Sequence, residues 1–237
     1  MYNDFMQEYI QLGHMSQIKD IDLNFPHYVI PHQCVLRPDA ETTKLRVVFD
    51  ASCKSTTHVS LNELLMVGPT IQPELFTTLL RFRCRKWAIT ADITKMYRQV
   101  AISDDDKKFQ LILYRHSPDE PIRTYCLNTV TYGTAPAPFL AIRCLQHLSD
   151  MFADQYPLGC KVIREEFYAD DMLSGANDIT ELKQIQKEVV EILNSGGFKL
   201  AKWHSNHPSL LEKENYEKAL EDDGNSTIYA LGVTWSP

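Results

Sequence analysis

The feature that most constrains this chain is the run Phe167-Tyr168-Ala169-Asp170-Asp171-Met172, where two adjacent carboxylates sit between apolar residues. Val162 and Ile163 lead in through Arg164-Glu165-Glu166, and Met172 and Leu173 lead out to Ser174-Gly175. This pattern predicts a β-hairpin with Ala169-Asp170-Asp171 at or near its tip. Side chains alternate faces along a strand, but a tight turn can aim one carboxylate into a cleft and keep its neighbour close. Adjacent acids repel, so the pair gains nothing from proximity without a cation. A divalent metal removes that conflict; the plain alternative is an acidic turn made of good turn formers. A second acid in a matching setting tips the reading towards metal. Asp92 lies near the end of Trp87-Ala88-Ile89-Thr90-Ala91-Asp92-Ile93, a run that reads as a mostly buried strand. A carboxylate there is costly unless it is paired or bound to metal.

The 237 residues allow one large domain or two modest ones around a substantial core. A content of 44% hydrophobic and 23% charged residues is that of a soluble globular chain. No apolar run approaches the ~20 residues that span a bilayer. The N-terminus, with Asp4 and Glu8 and no apolar stretch, is no signal peptide. No membrane partner and an intracellular location are therefore expected. Six scattered cysteines without a Cys-x-x-Cys pair read as reduced thiols, and His204-x-x-His207 reads as a polar loop, not a metal site. The net charge of −7 is unhelpful for a nucleic-acid binder, but it is unevenly spread. Residues 35–100 carry ten basic and six acidic side chains, whereas 150–237 carry eight basic and sixteen acidic. Weak intrinsic affinity for a nucleic-acid backbone follows.

Along the chain, residues 1–25 read as an amphipathic helical start with Tyr9, Ile10, Leu12 and Met15 as apolar points and Gly13 as a break. Tyr28 to Leu36 reads as an edge strand interrupted by Pro31, and after the turn at Pro38-Asp39-Ala40-Glu41 the chain returns as a strand from Leu45 to Phe49. Asn62-Glu63-Leu64-Leu65 and Gly68-Pro69 read as a connector. Leu75, Phe76, Leu79, Leu80 and Phe82 have helical spacing with Pro73 in the first turn, closed by Arg81, Arg83, Arg85 and Lys86. Phe109 to Tyr114 and Ile122 to Val130 read as strands joined by Pro118-Asp119-Glu120-Pro121. A helix carries Phe139, Ile142, Leu145, Leu148 and Phe152, has Pro138 in its first turn, and ends near Pro157 and Gly159. Asp178-Ile179-Thr180-Glu181 has capping-box chemistry ahead of an apolar face of Ile179, Leu182, Ile185, Val189, Ile192 and Leu193, and Gly196-Gly197 ends that helix.

Asp92 with Tyr97, the Tyr168-Ala169-Asp170-Asp171 box and the segments around them resemble a reverse transcriptase. Arg46-Val47-Val48-Phe49-Asp50-Ala51-Ser52 and Gly197-Phe198-Lys199-Leu200-Ala201-Lys202-Trp203 resemble in particular the polymerase domain of BEL/Pao-type LTR retrotransposons. Five motifs stand in the family's order over nearly the whole chain; each is weak alone, and the ordered set is strong.

The resemblance implies an α/β (α+β) right-hand polymerase: palm and fingers with an antiparallel sheet backed by helices, the thumb absent or only begun. The boundaries expected are an N-terminal helical segment at 1–25, fingers at 26–86, and a palm at 87–237. Fingers strands at about 100–135 are interleaved in the palm, which ends at a primer-grip-like hairpin around Leu231 and Gly232. The function implied is RNA- and DNA-directed DNA synthesis by two-metal nucleotidyl transfer from dNTPs to a primer 3′-hydroxyl. Asp92, Asp170 and Asp171 are then the catalytic acids. With the carbonyl of Ile93, they are also the ligands of two Mg²⁺, for which Mn²⁺ could substitute. Arg46 matches a residue on the nucleotide phosphates, with Arg37 a possible second. Tyr97 matches the position under the ribose, where a bulky ring excludes a 2′-hydroxyl. Tyr132 and Gly133, in a motif that departs from many members by reading Thr-Ala-Pro-Ala-Pro, and Tyr168 fall at the nucleotide. Lys202, in preference to Lys199, matches a lysine near the leaving pyrophosphate. Template with primer, dNTPs, and the protease, ribonuclease H and integrase of a parent polyprotein are the implied partners, and a cytoplasmic retroelement particle the implied location. Two rivals remain. One is an inactive or thumbless remnant with weak nucleotide binding. The other is a metal-dependent phosphohydrolase or nuclease, which would leave Arg46, Tyr97 and Gly133 without purpose.

Overall fold

The computed structural model of the protein describes residues 1–19, 24, 26–38, 44–211, 228–230 and 233–235. In chain order the elements begin with α1 (Tyr2–Gln11), β1 (Met15–Ile18), β2 (His32–Leu36), β3 (Leu45–Phe49), α2 (Leu61–Leu64), α3 (Leu75–Arg83) and β4 (Trp87–Ile93). They continue with β5 (Leu111–Tyr114), β6 (Arg123–Leu127), α4 (Ala137–Met151), α5 (Pro157–Glu165), β7 (Phe167–Tyr168) and β8 (Asp171–Ala176). Last come α6 (Ile179–Ser195), β9 (Leu200–Ser205), β10 (Ile228–Ala230) and β11 (Val233–Trp235), these final two paired antiparallel. Contacts divide the chain into one unit of Met1–Pro69 with Tyr97–Ala141 and a second of Thr70–Met96 with Ile142–Pro237.

In the first unit a three-stranded antiparallel sheet runs β1-β6-β5, and β2 and β3 form a separate hairpin. Met6 and Tyr9 of α1, Met15, Val47, Phe49, Ile112 and Leu127 are buried in one core. Residues 1–25 were expected to form a helical segment with Gly13 as a break; the helix does stop before Gly13, but Met15–Ile18 beyond it is a strand paired with Leu127–Thr124. The partner that makes β1 a strand lies more than a hundred residues away, so no local period could show it. The strand expected from Tyr28 to Leu36 is divided at Pro31. The N–H of Ile30 donates to the carbonyl of Leu111 at 2.7 Å, whereas pairing with β3 begins at His32. The expected connector at Asn62 contains a one-turn helix with a full capping box, Ser60 and Glu63 each accepting from the other's backbone N–H.

The second unit holds a four-stranded antiparallel sheet in the order β7-β8-β4-β9. β4 is flanked on both sides, and Ala88, Ile89, Thr90, Ala91 and Ile93 are all buried. α6 starts as its sequence dictates: the Asp178 carboxylate accepts from the N–H groups of Thr180 and Glu181 at 2.8 and 3.0 Å. Leu182, Ile185, Val189, Ile192 and Leu193 are buried, and at about 2 kcal/mol for each such side chain this face outweighs the marginal stability of an isolated helix. The chain around Pro157 departs from expectation. Pro157 does not end a helix; it occupies the first turn of α5, and Val162 and Ile163, expected to lead into the hairpin as strand, are buried helical residues. α5 packs on α6 with the buried Glu188 carboxylate accepting from the N–H of Gly159 at 2.8 Å. A Cβ on Gly159 would lie 2.7 Å from that of Glu188, so only glycine lets the helices meet so closely. Pro73 precedes the N-cap Glu74 of α3 instead of lying in its first turn. Pro138 is in the first turn of α4, whose most buried line is Ala137, Ala141, Leu145 and Ser149. Among the described residues no helix is long and apolar enough to cross a membrane.

Candidate active site

The hairpin at the paired acids forms as its sequence predicts, with Phe167 opposite Met172, Tyr168 opposite Asp171, and Ala169-Asp170 as the two-residue turn. β8 continues along β4 and sets Asp171 directly opposite Asp92. Directly opposed residues on antiparallel strands have Cα atoms about 4.5–5.5 Å apart and share a face of the sheet. The N–H of Ile93 donates to the carbonyl of Asp170 at 2.8 Å, which draws the turn to the end of β4. Two strand ends thus bring Asp92 together with Asp170 and Asp171, which lie 78 and 79 positions further along the sequence. Their charges oppose one another. Burial first, then Asp170 and Asp92, push the Asp171 carboxyl up to about 6, and Lys202 works against this. Asp170 is also raised, by desolvation from surrounding protein and by Asp92, although its side chain still reaches solvent.

Lys202 reaches this cluster through an irregularity in β9. Thr90 pairs with His204 and Asp92 with Ala201, so β9 places one more residue than β4 in that interval. Lys202 stands in the bulge with φ +53°, and its Nζ lies 3.2 Å from Asp92 Oδ2. A bulge re-aims a side chain that a regular pleat would turn elsewhere. Lys95, three residues after Asp92, and Ala169, just before Asp170, also have φ +53°. Left-handed backbone costs a non-glycine residue about 1 kcal/mol or more, and it collects where surrounding structure enforces a functional geometry. Here three such residues border the acids.

The donor set suits a hard divalent cation: three carboxylates on neighbouring backbone positions, which Lys202 offsets only in part. Among the described residues no ready-made group of three His, Cys, Asp or Glu side chains is assembled, and Lys202 is the cation on Asp92. His204 and His207 take no part in the acid cluster. Burial, then Lys202, lowers the pKa of His204, while the His207 Nδ1 accepts from the N–H of Ser209 and its ring meets Trp87 edge-on at 4.7 Å.

The remaining candidate residues are distributed as follows. Tyr168 is half-buried in the second unit, beside Asp171 in the hairpin. Arg46 is exposed on β3 in the first unit, opposite Val35, and Arg37 is exposed just after β2. Tyr97 is half-buried in a 3₁₀ turn at Met96–Gln99. The Tyr132 hydroxyl donates to the carbonyl of Val47 at 2.8 Å, and its ring packs on Phe49, so its polar end is engaged within the unit. Gly133 has φ +97°, and a Cβ there would lie 2.3 Å from the Phe49 carbonyl oxygen. The close approach that requires glycine is therefore to β3. Leu231 and Gly232 lie outside the described residues.

Residues 37–209 match the family described as "Reverse transcriptase (RNA-dependent DNA polymerase)". The chain belongs to the reverse transcriptase family. Its fold is similar to that of the "Crystal structure of Prototype Foamy Virus Protease-Reverse Transcriptase (native)", with a TM-score of 0.58 and 16% identity. The match covers 82% of this chain and 22% of that one, so the chain spans about a fifth of the length of that protein. No curated protein matches the chain. The mixed helices and antiparallel sheet are the palm-and-fingers fold of a reverse transcriptase polymerase, a family whose enzymes use divalent metal ions.

Two residues of this reverse transcriptase fold escaped the sequence reading. Asn62 ties the Tyr132-Gly133 loop down. Its Nδ2 donates to the Gly133 carbonyl and Ser52 Oγ at 2.9 and 2.8 Å, and its Oδ1 accepts from the N–H of Ala135 at 2.7 Å. Arg98 is buried with its guanidinium engaged by Glu8 and His14. The capping pattern Ser60-x-x-Glu63 was the one local signal that Asn62 stood in a helix; nothing local pointed to Arg98.

Proposed function

We propose that this chain is the polymerase domain of a retroelement reverse transcriptase, an RNA- and DNA-directed DNA polymerase that joins dNTPs to a primer 3′-hydroxyl. The observation that carries the reading is Asp171 directly opposite Asp92, with Asp170 in the adjoining turn. In this reading the palm is built on the β7-β8-β4-β9 sheet, and the β2–β3 hairpin belongs to the fingers. Asp92, Asp170, Asp171 and the carbonyl of Ile93 would hold two Mg²⁺, or Mn²⁺ in their place. When bound, the ions supply charge neutralisation and activation of the primer hydroxyl, the usual division of labour in phosphoryl transfer. Arg46 neutralises triphosphate charge, Tyr97 rejects a 2′-hydroxyl, and Tyr132, Gly133 and Tyr168 line the nucleotide. Lys202 leaves Asp92 for the pyrophosphate side, and Leu231 and Gly232 belong to the primer grip. The runs Arg46–Ser52 and Gly197–Trp203 favour a BEL/Pao-type element, whose polyprotein would add protease, ribonuclease H and integrase, within a cytoplasmic particle.

The test is primer extension on poly(rA)/oligo(dT) with Mg²⁺, comparing the chain with its Asp170→Asn variant. Extension that the substitution removes, with an unchanged circular dichroism spectrum, is the expected result. An Asp170→Asn protein that extends as well as the parent would sink the site assignment. No extension by either, with Mg²⁺-dependent dNTP binding retained by the parent, would favour a palm that needs further sequence to clamp its duplex.

A further inference from the structure

Arg98 adjoins Tyr97, and it is only 7% exposed. Its Nη2 donates to Glu8 Oε1 at 2.9 Å, its Nε donates to His14 Nδ1 at 2.8 Å, and its Cζ lies 4.0 Å from the centroid of the Tyr9 ring. Two edges and one face of the planar guanidinium are thus met by α1 and the residues just after it. Tyr9 carries the contact onward. Its ring packs on Phe49 and Phe49 on Tyr132, with centroids 6.0 and 5.3 Å apart. Its hydroxyl interacts electrostatically with that of Tyr132, and the Tyr132 hydroxyl donates to the Val47 carbonyl at 2.8 Å. The backbone runs in parallel with these contacts. The N–H of Val130 donates to the Val100 carbonyl, that of Ile102 to Asn128, and that of Asn128 to His14, at 2.8, 3.0 and 2.8 Å. The turn bearing Tyr97, the segment leading to Tyr132 and the end of α1 therefore form one bonded assembly.

A packing role alone accounts poorly for this. An apolar side chain fills such a space without the cost of taking a charge out of water. What a guanidinium adds is direction, because its fork fixes the turn that carries it. We propose that Glu8, Tyr9, His14 and Arg98 form a brace through which the N-terminal helix sets the positions of Tyr97 and Tyr132, making Arg98 a positioning residue for nucleotide selection. This rests on the polymerase reading for its kinetic consequence, but not for the brace itself.

The test uses the full chain and two variants, Arg98→Met, which keeps bulk and removes the donors, and Tyr9→Phe, which keeps the ring face and removes the hydroxyl that interacts with that of Tyr132. Two readouts are taken: single-nucleotide incorporation with dNTPs and with rNTPs, and amide hydrogen exchange over residues 96–102 and 130–136. Small misplacements of positioning groups cost up to a hundredfold, so Arg98→Met is expected to raise KM for dNTPs about tenfold, with kcat changed less than about twofold. Discrimination against rNTPs falls, Tyr9→Phe shifts the same way by about threefold, and exchange quickens in both segments together. Faster exchange confined to α1, with KM and discrimination unchanged, would overturn the proposal and leave Arg98 a structural residue. If the parent incorporates nothing and binds no dNTP with Mg²⁺, the polymerase reading fails. With no incorporation, exchange alone decides the brace: joint loosening supports it, and loosening of one segment without the other overturns it. If Arg98→Met does not fold, Tyr9→Phe carries both readouts.

Discussion

Replacing Asp171 with Asn should stabilise the protein at neutral pH. Asp171 has an ordinary value of 3.8 and is pushed up to about 6 in the fold by burial, Asp170 and Asp92. Between those values the folded state binds more protons at this site than the unfolded chain, so stability falls as pH climbs from about 4 to about 6 and stays level above. At 1.36 kcal/mol per pH unit the interval corresponds to about 3 kcal/mol. The carboxylate is only partly buried, so solvent screening reduces this to about 1.5 kcal/mol. The assay is urea denaturation, followed by tryptophan fluorescence in EDTA, of parent and Asp171→Asn at pH 4 and pH 7.5. The variant should gain about 1.5 kcal/mol at pH 7.5 and almost nothing at pH 4. Taking the difference matters, because Glu166, also raised by burial, and Asp178, lowered by its two backbone N–H partners, titrate alike in both proteins. Mg²⁺ should return part of the same free energy to the parent and less to the variant. An equal gain at both pH values, or a loss at pH 7.5, would refute the account of Asp171 as a group held at electrostatic cost.

Two further outcomes are expected. Asn62→Ala removes three hydrogen bonds from a half-buried side chain and should cost about 2 kcal/mol, measured by denaturation, with faster amide exchange at residues 133–136; an effect under about 0.5 kcal/mol would deny the clamp. Ala169→Gly relieves left-handed backbone at φ +53° and should raise stability by about 0.5 kcal/mol in the same assay, whereas a loss would mean that the turn is not strained.

The elements legible in the sequence were those whose cause is local. Asp178 and the period of the α6 apolar face announce that helix, and the apolar run Trp87–Ile93 around a single carboxylate announces β4. Even the pairing of Asp92 with the Asp170-Asp171 turn could be anticipated, since both were costly acids in apolar settings. What failed was decided at a distance. Met15–Ile18 needs β6 before it is a strand, and Val162 and Ile163 read equally as strand or helix until α6 supplies the surface they bury against. Arg98 meets its partners 84 and 90 positions away, and Asn62 meets its loop 71 and 73 positions away, so neither could be told from an ordinary polar residue. Gly133 was expected at the nucleotide, and the neighbour a Cβ there would meet within the fold, the Phe49 carbonyl, lies 84 positions earlier in the chain.

The supernumerary residue of β9 also bears on how such a chain can diverge. Between Ala201 and His204 the strand takes three steps where β4 takes two, and Lys202 reaches Asp92 only through that surplus. Deleting one residue there would restore an even pleat with His204 still opposite Thr90, but would turn Lys202 to the face away from Asp92. Substitution at the intervening Trp203 is a milder event, because it leaves the count intact. Spacing is thus the hereditary constraint on this stretch, and a shift of one codon would disarm the lysine while every motif residue remained in place.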